Sequence, residues 1–186
     1  MATVPGKKSS AKQIVFLAIL ALIALVFAAS FFIKARPSVN KIITNGDRAP
    51  EFRLQTLNGQ HLRLSDFRGK VVMVHFWATW CPPCVEELPT LSKLYQNLAG
   101  KDFEMLAVSV DEGGAEAVTP FMHRNGLNVP VLLDPDRSIS AQYGTFKFPE
   151  TYILDREGIV RYKVIGPRDW RDPAALDLIK SIIAAR

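Results

Sequence analysis

The sequence predicts an α/β domain, a mixed sheet with helices on both faces, carried behind an N-terminal transmembrane helix. Three observations predict it. Ile14–Ile33 is a run of twenty residues without a charge, about the length a helix needs to cross a hydrocarbon core. Beyond residue 48, short apolar runs rich in β-branched residues alternate with amphipathic segments, the pattern of strands and helices stacked in layers. Near the C-terminus two apolar runs flank Asp155-Arg156-Glu157-Gly158, a hairpin turn that adds antiparallel pairing to a sheet otherwise built by crossovers.

Charge and composition narrow the class. Hydrophobic residues make up 48% and charged residues 22% of the 186, which excludes a disordered chain. Two cysteines exclude a multi-disulfide scaffold and are too few for an all-cysteine zinc site. The net charge of +5 sits in the leader: residues 1–48 hold seven Lys/Arg against one Asp, and the rest hold 16 basic and 17 acidic residues. The remaining chain has no overall attraction for nucleic acid, and none is expected as a partner.

Lys7, Lys8 and Lys12 precede the uncharged run, and Lys34 and Arg36 follow it. Ala28-Ala29-Ser30 would suit a signal peptidase, but the run exceeds the 7–15 apolar residues of a signal peptide and reads as an uncleaved anchor. No cysteine lies nearby for lipid attachment. Positive residues on both sides leave orientation undecided. The expected organisation is a short N-terminus at 1–13, the anchor at 14–33, a tether at 34–48 and one domain at 49–186, which is long enough to bury its own core. The tether is broken by Pro37, Ser38, Asn40 and Asn45-Gly46.

Within the domain, Phe52–Leu54 and His61–Leu64 flank Asn58-Gly59 and read as a small front hairpin. Lys70–Phe76 is a nearly unbroken apolar run, as in a strand covered on both faces. Val85, Leu88, Leu91, Leu94, Tyr95 and Leu98 recur at spacings of three and four, giving a helix with one apolar face that ends at Gly100. Pro89 should kink it, because it removes a backbone donor and crowds the preceding turn. Met105–Val110 reads as a strand, Ala115–Arg124 as a helix, Val129–Leu133 as a strand and Ser138–Tyr143 as a short helix. Thr151–Leu154 and Ile159–Ile165 form the closing hairpin, and a last helix runs from Pro173 to Ala185, with proline in the first turn, where a missing N–H costs little.

Cys81 and Cys84 sit where the buried strand ends and the helix begins. A helix start presents unpaired N–H groups and the positive end of the dipole, and both favour a thiolate. Lowering a thiol pKa from about 8.5 to about 7 raises the ionised fraction at pH 7 from about 3% to about half. That is what a disulfide-exchange nucleophile needs, and the spacing lets Cys84 attack a mixed disulfide formed at Cys81. The reading requires Cys81 to be exposed and acidic. A purely stabilising bridge across so short a loop would add only about 2 kcal/mol, against about 4.7 for a loop of 100 residues. A metal site would need further ligands, and His61, His75 and His123 are the available histidines, with His75 nearest.

Phe76-Trp77-Ala78-Thr79-Trp80-Cys81-Pro82-Pro83-Cys84 resembles the active-site run of the thioredoxin superfamily. The anchor, the front hairpin and the extra helix and strand at about 115–133 are similar to its membrane-anchored TlpA/ResA/CcmG-like thiol-disulfide oxidoreductases. The resemblance covers roughly residues 46–184. It implies a thioredoxin-like sheet with a central helix-strand insertion, dithiol chemistry without a diffusible cofactor, and a domain facing the periplasm or cell exterior from a single-pass anchor in the bacterial cytoplasmic membrane, with residues 1–13 in the cytoplasm. It further implies protein disulfide substrates of the envelope, such as apocytochrome c or other metalloprotein precursors, and a membrane electron donor.

The resemblance also assigns supporting residues. Pro149 would be cis and pack beside the cysteine pair, where it offers no N–H to compete near the sulfurs. Pro149-Glu150-Thr151 is close to the pattern of cytochrome-maturation members, with Phe148 bulkier than the small or β-branched residue usual there. Trp80 would shield Cys81 and, with Phe148 and Pro149, face the substrate. Glu87, three residues after Cys84, can move protons during exchange or simply suit the first turns of a helix, as Glu86 does. His75 can be a proton relay or a hydrogen-bonded core residue. Trp77 reads as packing, and Trp170, within Gly166-Pro167-Arg168-Asp169-Trp170, has no assigned role. Two other functions fit the cysteine pair: a copper-handling chaperone, which would need a third soft ligand, and a thiol peroxidase, for which Thr79-Trp80-Cys81 lacks the Pro-x-x-x-Thr-x-x-Cys arrangement.

Overall fold

A computed structural model describes residues 11–34, 41–100 and 102–185. The chain divides into two compact units at Val39 and Asn40. In the first, Ala11–Lys34 is one helix, α1. Its side chains are described only for residues 13–25, and no helix among the described residues is long and apolar enough to cross a membrane. The side chains of residues 26–33 of the expected anchor, and residues 35–40 of the expected tether, therefore lie outside what is described.

The second unit is a seven-stranded mixed sheet. Its strands are β1 (Arg53–Thr56), β2 (His61–Arg63), β3 (Val71–Trp77), β4 (Phe103–Ser109), β5 (Val131–Leu133), β6 (Glu150–Leu154) and β7 (Val160–Ile165). The spatial order is β2-β1-β5-β4-β3-β6-β7. β3 pairs parallel with β4, and β4 with β5, while β6 runs antiparallel to both β3 and β7. The helices are α2 (Pro82–Leu98), α3 (Gly114–Arg124), α4 (Ser138–Gln142) and α5 (Pro173–Ala184). Elements predicted from periodicity are present, with ends shifted by one or two residues. A 3₁₀ turn at Leu64–Phe67 is additional.

Every residue of β3 is buried, as its unbroken apolar run requires. Successive side chains on a strand point to opposite faces, and β3 shows what covers each. Phe76 packs edge-on against Tyr143, at the end of α4, at 5.2 Å, and Trp77 lies 5.7 Å from Phe121 of α3. α3 and α4 thus cover opposite faces. α2 buries Leu88, Leu91 and Leu94 completely or nearly so, each worth about 1.5–3 kcal/mol of transfer free energy. Val85, Tyr95 and Leu98 are only half-buried. α2 runs through Pro89 without a break. Pro89 faces solvent, where a carbonyl left without its helical donor can meet water.

The expected tether joins the domain earlier than its Pro, Ser and Asn content implied. The Ile43 N–H donates to the Tyr143 carbonyl at 3.1 Å, the Gly46 N–H donates to Val160 O at 2.8 Å, and Arg48 bridges Ile159. Gly144 permits the approach: at φ +68, a Cβ there would lie 2.7 Å from Ile42 Cα.

One buried ion pair holds the start of β6. Glu150 is fully buried and accepts from Lys163 Nζ at 2.7 Å and from Tyr152 Oη at 2.5 Å. The same ammonium donates to Ile43 O at 3.1 Å and lies over the Tyr152 ring. Lys163→Met strands this carboxylate, so urea unfolding should show a loss of about 3 kcal/mol. The double variant Lys163→Met/Glu150→Gln should recover more than half of it, because the uncompensated charge is gone.

Candidate active site

The site forms where β3 ends. The Val110 N–H donates to Trp77 O at 2.9 Å, which sets the loop after β4 against the loop after β3. Asp111, buried at 3% exposure, then accepts from the Thr79 N–H at 3.0 Å, from Thr79 Oγ1 at 2.5 Å and from Ser109 Oγ at 2.7 Å. These bonds fix the segment that delivers Trp80 and Cys81. The Thr79 hydroxyl is committed to Asp111. Sequence reading missed Asp111, since an acid after an apolar strand looks like an ordinary solvated turn.

Cys81 is the N-cap of α2, with extended backbone, and is disulfide-bonded to Cys84 across a Cα–Cα distance of 5.3 Å. Pro82 and Pro83 occupy the first two helical positions and carry no N–H. The Val85 N–H bonds back to Cys81 O at 3.1 Å. Of the first three helical residues only Cys84 has an N–H, fewer free donors than a helix start ordinarily offers. Cys81 is 5% exposed and Cys84 not at all. This corrects the expected open Cys81: in the disulfide form its sulfur is tied to a fully buried partner, and the exposed position passes to Trp80, at 54%. The asymmetry survives, with Cys81 the more exposed of the two cysteines.

The structure brings Trp80 and Phe148 together, with ring centroids 6.1 Å apart and planes at 81°. The Phe148–Pro149 peptide bond is cis, as the resemblance implied. β6 is placed by register, Glu150 opposite Phe76, so Pro149 lies level with the end of β3. Arg137 completes this wall, its guanidinium 5.5 Å from the centre of the Trp80 ring and paired with Glu112 at 3.2 Å.

Glu87 is buried at 3% exposure, unlike the exposed Glu86. Its Oε1 accepts from the indole Nε1 of Trp170, and Oε2 has no hydrogen-bond partner. Burial pushes its carboxyl up to about 7, against the lowering effects of the Trp170 indole and, to a lesser degree, the Arg168 backbone N–H. On a helix a residue three positions on lies one turn away, with Cβ atoms about 5–6 Å apart, so Glu87 shares a face with Cys84. Trp170, which sequence reading left without a role, is its partner across 83 residues. A cleft of about 230 Å³ borders Glu87, lined among others by Pro83, Glu86, Pro167 and Arg168.

His75 is fully buried, with Nδ1 2.9 Å from Thr151 Oγ1 and Nε2 unpartnered. Burial lowers its pKa to about 3. His61 lies on β2 and His123 on α3, both at the surface. Among the described residues, no group of three or more His, Cys, Asp or Glu is placed to hold a metal ion.

The AhpC/TSA family model matches residues 45–163. The chain belongs to this family. Within it, the chain is 40% identical over 124 residues to the thiol-disulfide oxidoreductase ResA of Bacillus subtilis, covering 67% of this chain and 69% of that protein. It is 34% identical over 155 residues to the ResA of Geobacillus thermodenitrificans, covering 83% and 86%. A crystal structure from Chlorobium tepidum, assigned as the thiol:disulfide interchange protein DsbE, superposes with a TM-score of 0.66 at 30% identity over 77% of this chain and 97% of that one. The fold is thioredoxin-like, and the family member described here is a thiol-disulfide oxidoreductase.

The buried histidine makes a prediction. Above pH 6.5 His75 is neutral both folded and unfolded. As pH falls from 6.5 toward about 3, only the unfolded chain takes up the proton, so stability is lost on the acid side. His75→Gln should reduce that loss by about 1.4 kcal/mol for each pH unit below 6.5, read as a flatter dependence of the urea midpoint on pH.

Proposed function

We propose that this chain is a membrane-anchored reductase of protein disulfides in the bacterial envelope, with Cys81 as nucleophile and Cys84 as resolving thiol. The observation that carries the reading is the unequal burial of a bonded cysteine pair at the start of a helix. In the reduced protein the Cys81 thiolate attacks one sulfur of a substrate disulfide. That S–S bond breaks, one substrate thiol leaves and a mixed disulfide forms. Cys84, after losing its proton to Glu87, attacks Cys81 and releases the second substrate thiol. Two electrons pass to the substrate, and the Cys81–Cys84 disulfide remains, to be reduced again by a membrane electron donor. Trp80, Phe148 and Pro149 form the wall along which the substrate backbone runs. Apocytochrome c and other metalloprotein precursors are the substrate class, in keeping with the Pro149-Glu150-Thr151 segment.

Ile14–Ile33 supports the anchor. At the 1.5 Å per residue of a helix, the twenty uncharged residues of that run would span about 30 Å, the thickness of a hydrocarbon core. Ile14, Leu17, Leu22 and Leu25 are 59–69% exposed, which suits a helix whose surroundings are lipid. The likeness to the membrane-anchored branch of the family supports a domain facing the periplasm or cell exterior.

Insulin reduction in the presence of a dithiol tests the assignment. Cys81→Ser should abolish it, and Cys84→Ser should accumulate mixed disulfides with envelope proteins, which can be identified from native membranes. Full insulin reduction by Cys81→Ser would overturn the reading. Tight one-to-one copper binding by the reduced chain without exchange would favour a metallochaperone instead.

A further inference from the structure

The Gly166–Trp170 turn between β7 and α5 is bound to the active-site helix at two points. The Trp170 indole N–H donates to Glu87 Oε1, and its backbone N–H donates to Thr90 Oγ1 at 3.2 Å. That hydroxyl in turn donates to the Glu87 carbonyl at 2.8 Å. Trp170 is fully buried, and the Arg168 guanidinium lies 5.7 Å from its ring centre. Both the backbone and the side chain of Glu87 are therefore tied to one turn of chain.

The chemistry of the two partners makes this tie directional. An indole N–H donates and cannot accept. It bonds a carboxylate oxygen most strongly and the carbonyl oxygen of a protonated carboxyl more weakly, in preference to the oxygen that carries the proton. Held on Oε1, it leaves Oε2 as the atom that gains and loses the proton. Oε2 is buried and has no hydrogen-bond partner. The surrounding charges do not fill that role. Glu86 on the same helix and Asp169 and Arg171 on the facing turn are exposed, with Asp169 and Arg171 paired to each other at 2.7 Å. Arg168 stacks on the indole.

We propose that Trp170 is a positioning residue that holds Glu87 Oε1 in both protonation states and so confines proton transfer with Cys84 to Oε2. The proposal rests on the exchange chemistry above and assigns its proton traffic to one atom. A donor to the charged form stabilises that form, so its removal raises the pH at which Glu87 can accept a proton.

Two measurements test it. Trp170→Phe keeps an aromatic ring and deletes the donor. The pH midpoint of disulfide exchange should move upward by about one unit, and in a Glu87→Gln background the same substitution should move nothing. An unchanged midpoint in Trp170→Phe would overturn the proposal and leave the indole as packing. The second readout needs no turnover and no folded Trp170 variant. In the intact chain in detergent, the assigned Trp170 indole ¹H–¹⁵N resonance should titrate with a midpoint near pH 7, and in Glu87→Gln it should stay flat. A flat resonance in the wild-type chain overturns the proposal even if Cys81→Ser behaves as expected, whereas a titrating resonance beside an active Cys81→Ser would place the failure in the exchange reading alone.

Discussion

The hydrogen-bond register of β3 with its two neighbours is the constraint on which the site depends. β3 is buried on both faces, so it has one way to sit, and a slip of one residue would exchange its faces. Its pairing with β4 sets Trp77 opposite Ser109, which brings Asp111 to Thr79. Its pairing with β6 sets Phe76 opposite Glu150, which brings Pro149 level with the strand end. The cysteine pair, its clamp and the proline are thus delivered by three segments that are distant in sequence and meet at one edge. Apolar burial supplies the energy for this arrangement, and the ladder supplies its geometry.

The buried ionisable groups around that edge differ in how fully they are satisfied. Asp111 has three donors from Thr79 and Ser109, and Glu150 has a lysine and a tyrosine on Oε1 with Oε2 unpartnered. Such groups hold loops and strand starts in place, because a buried carboxylate with its partners met resists any motion that would strip them away. Glu87 has one side-chain donor and one empty oxygen. Desolvation that is not fully offset raises a carboxyl toward neutrality, and a carboxyl near neutrality can both take and return a proton in ordinary cellular conditions. Three donors on Asp111 and a paired ammonium on Glu150 set these scaffold groups apart from Glu87, whose one side-chain donor is a neutral indole. His75 is also half-satisfied, but burial drives it to the neutral form across the physiological range, which favours a hydrogen-bonded core residue over a relay.

The ligand-free geometry also shows why an exposed nucleophile was the wrong expectation. A sulfur in a two-residue ring with a fully buried partner is drawn toward the helix, and the neighbouring tryptophan takes the solvent position. What exchange requires is unequal access to the two cysteines, and the residues differ in that direction, 5% exposed against none.

Local pattern determined most of this protein. Unbroken apolar runs and period-3.6 hydrophobicity placed the strands and helices within one or two residues, and the spacing Cys81-Pro82-Pro83-Cys84 after a buried strand pointed to the chemistry. The packing of residues 41–48 onto the domain was not legible there, because Pro, Ser and Asn mark irregular backbone whether it is packed or free. Nor were Asp111 as a clamp, Lys163 as the partner of Glu150, or Trp170 as the partner of Glu87. Each of these is a contact between segments far apart in the chain. Periodicity reports which face of an element is apolar, but only the closed tertiary structure decides which polar groups are stripped of water together and must therefore satisfy one another.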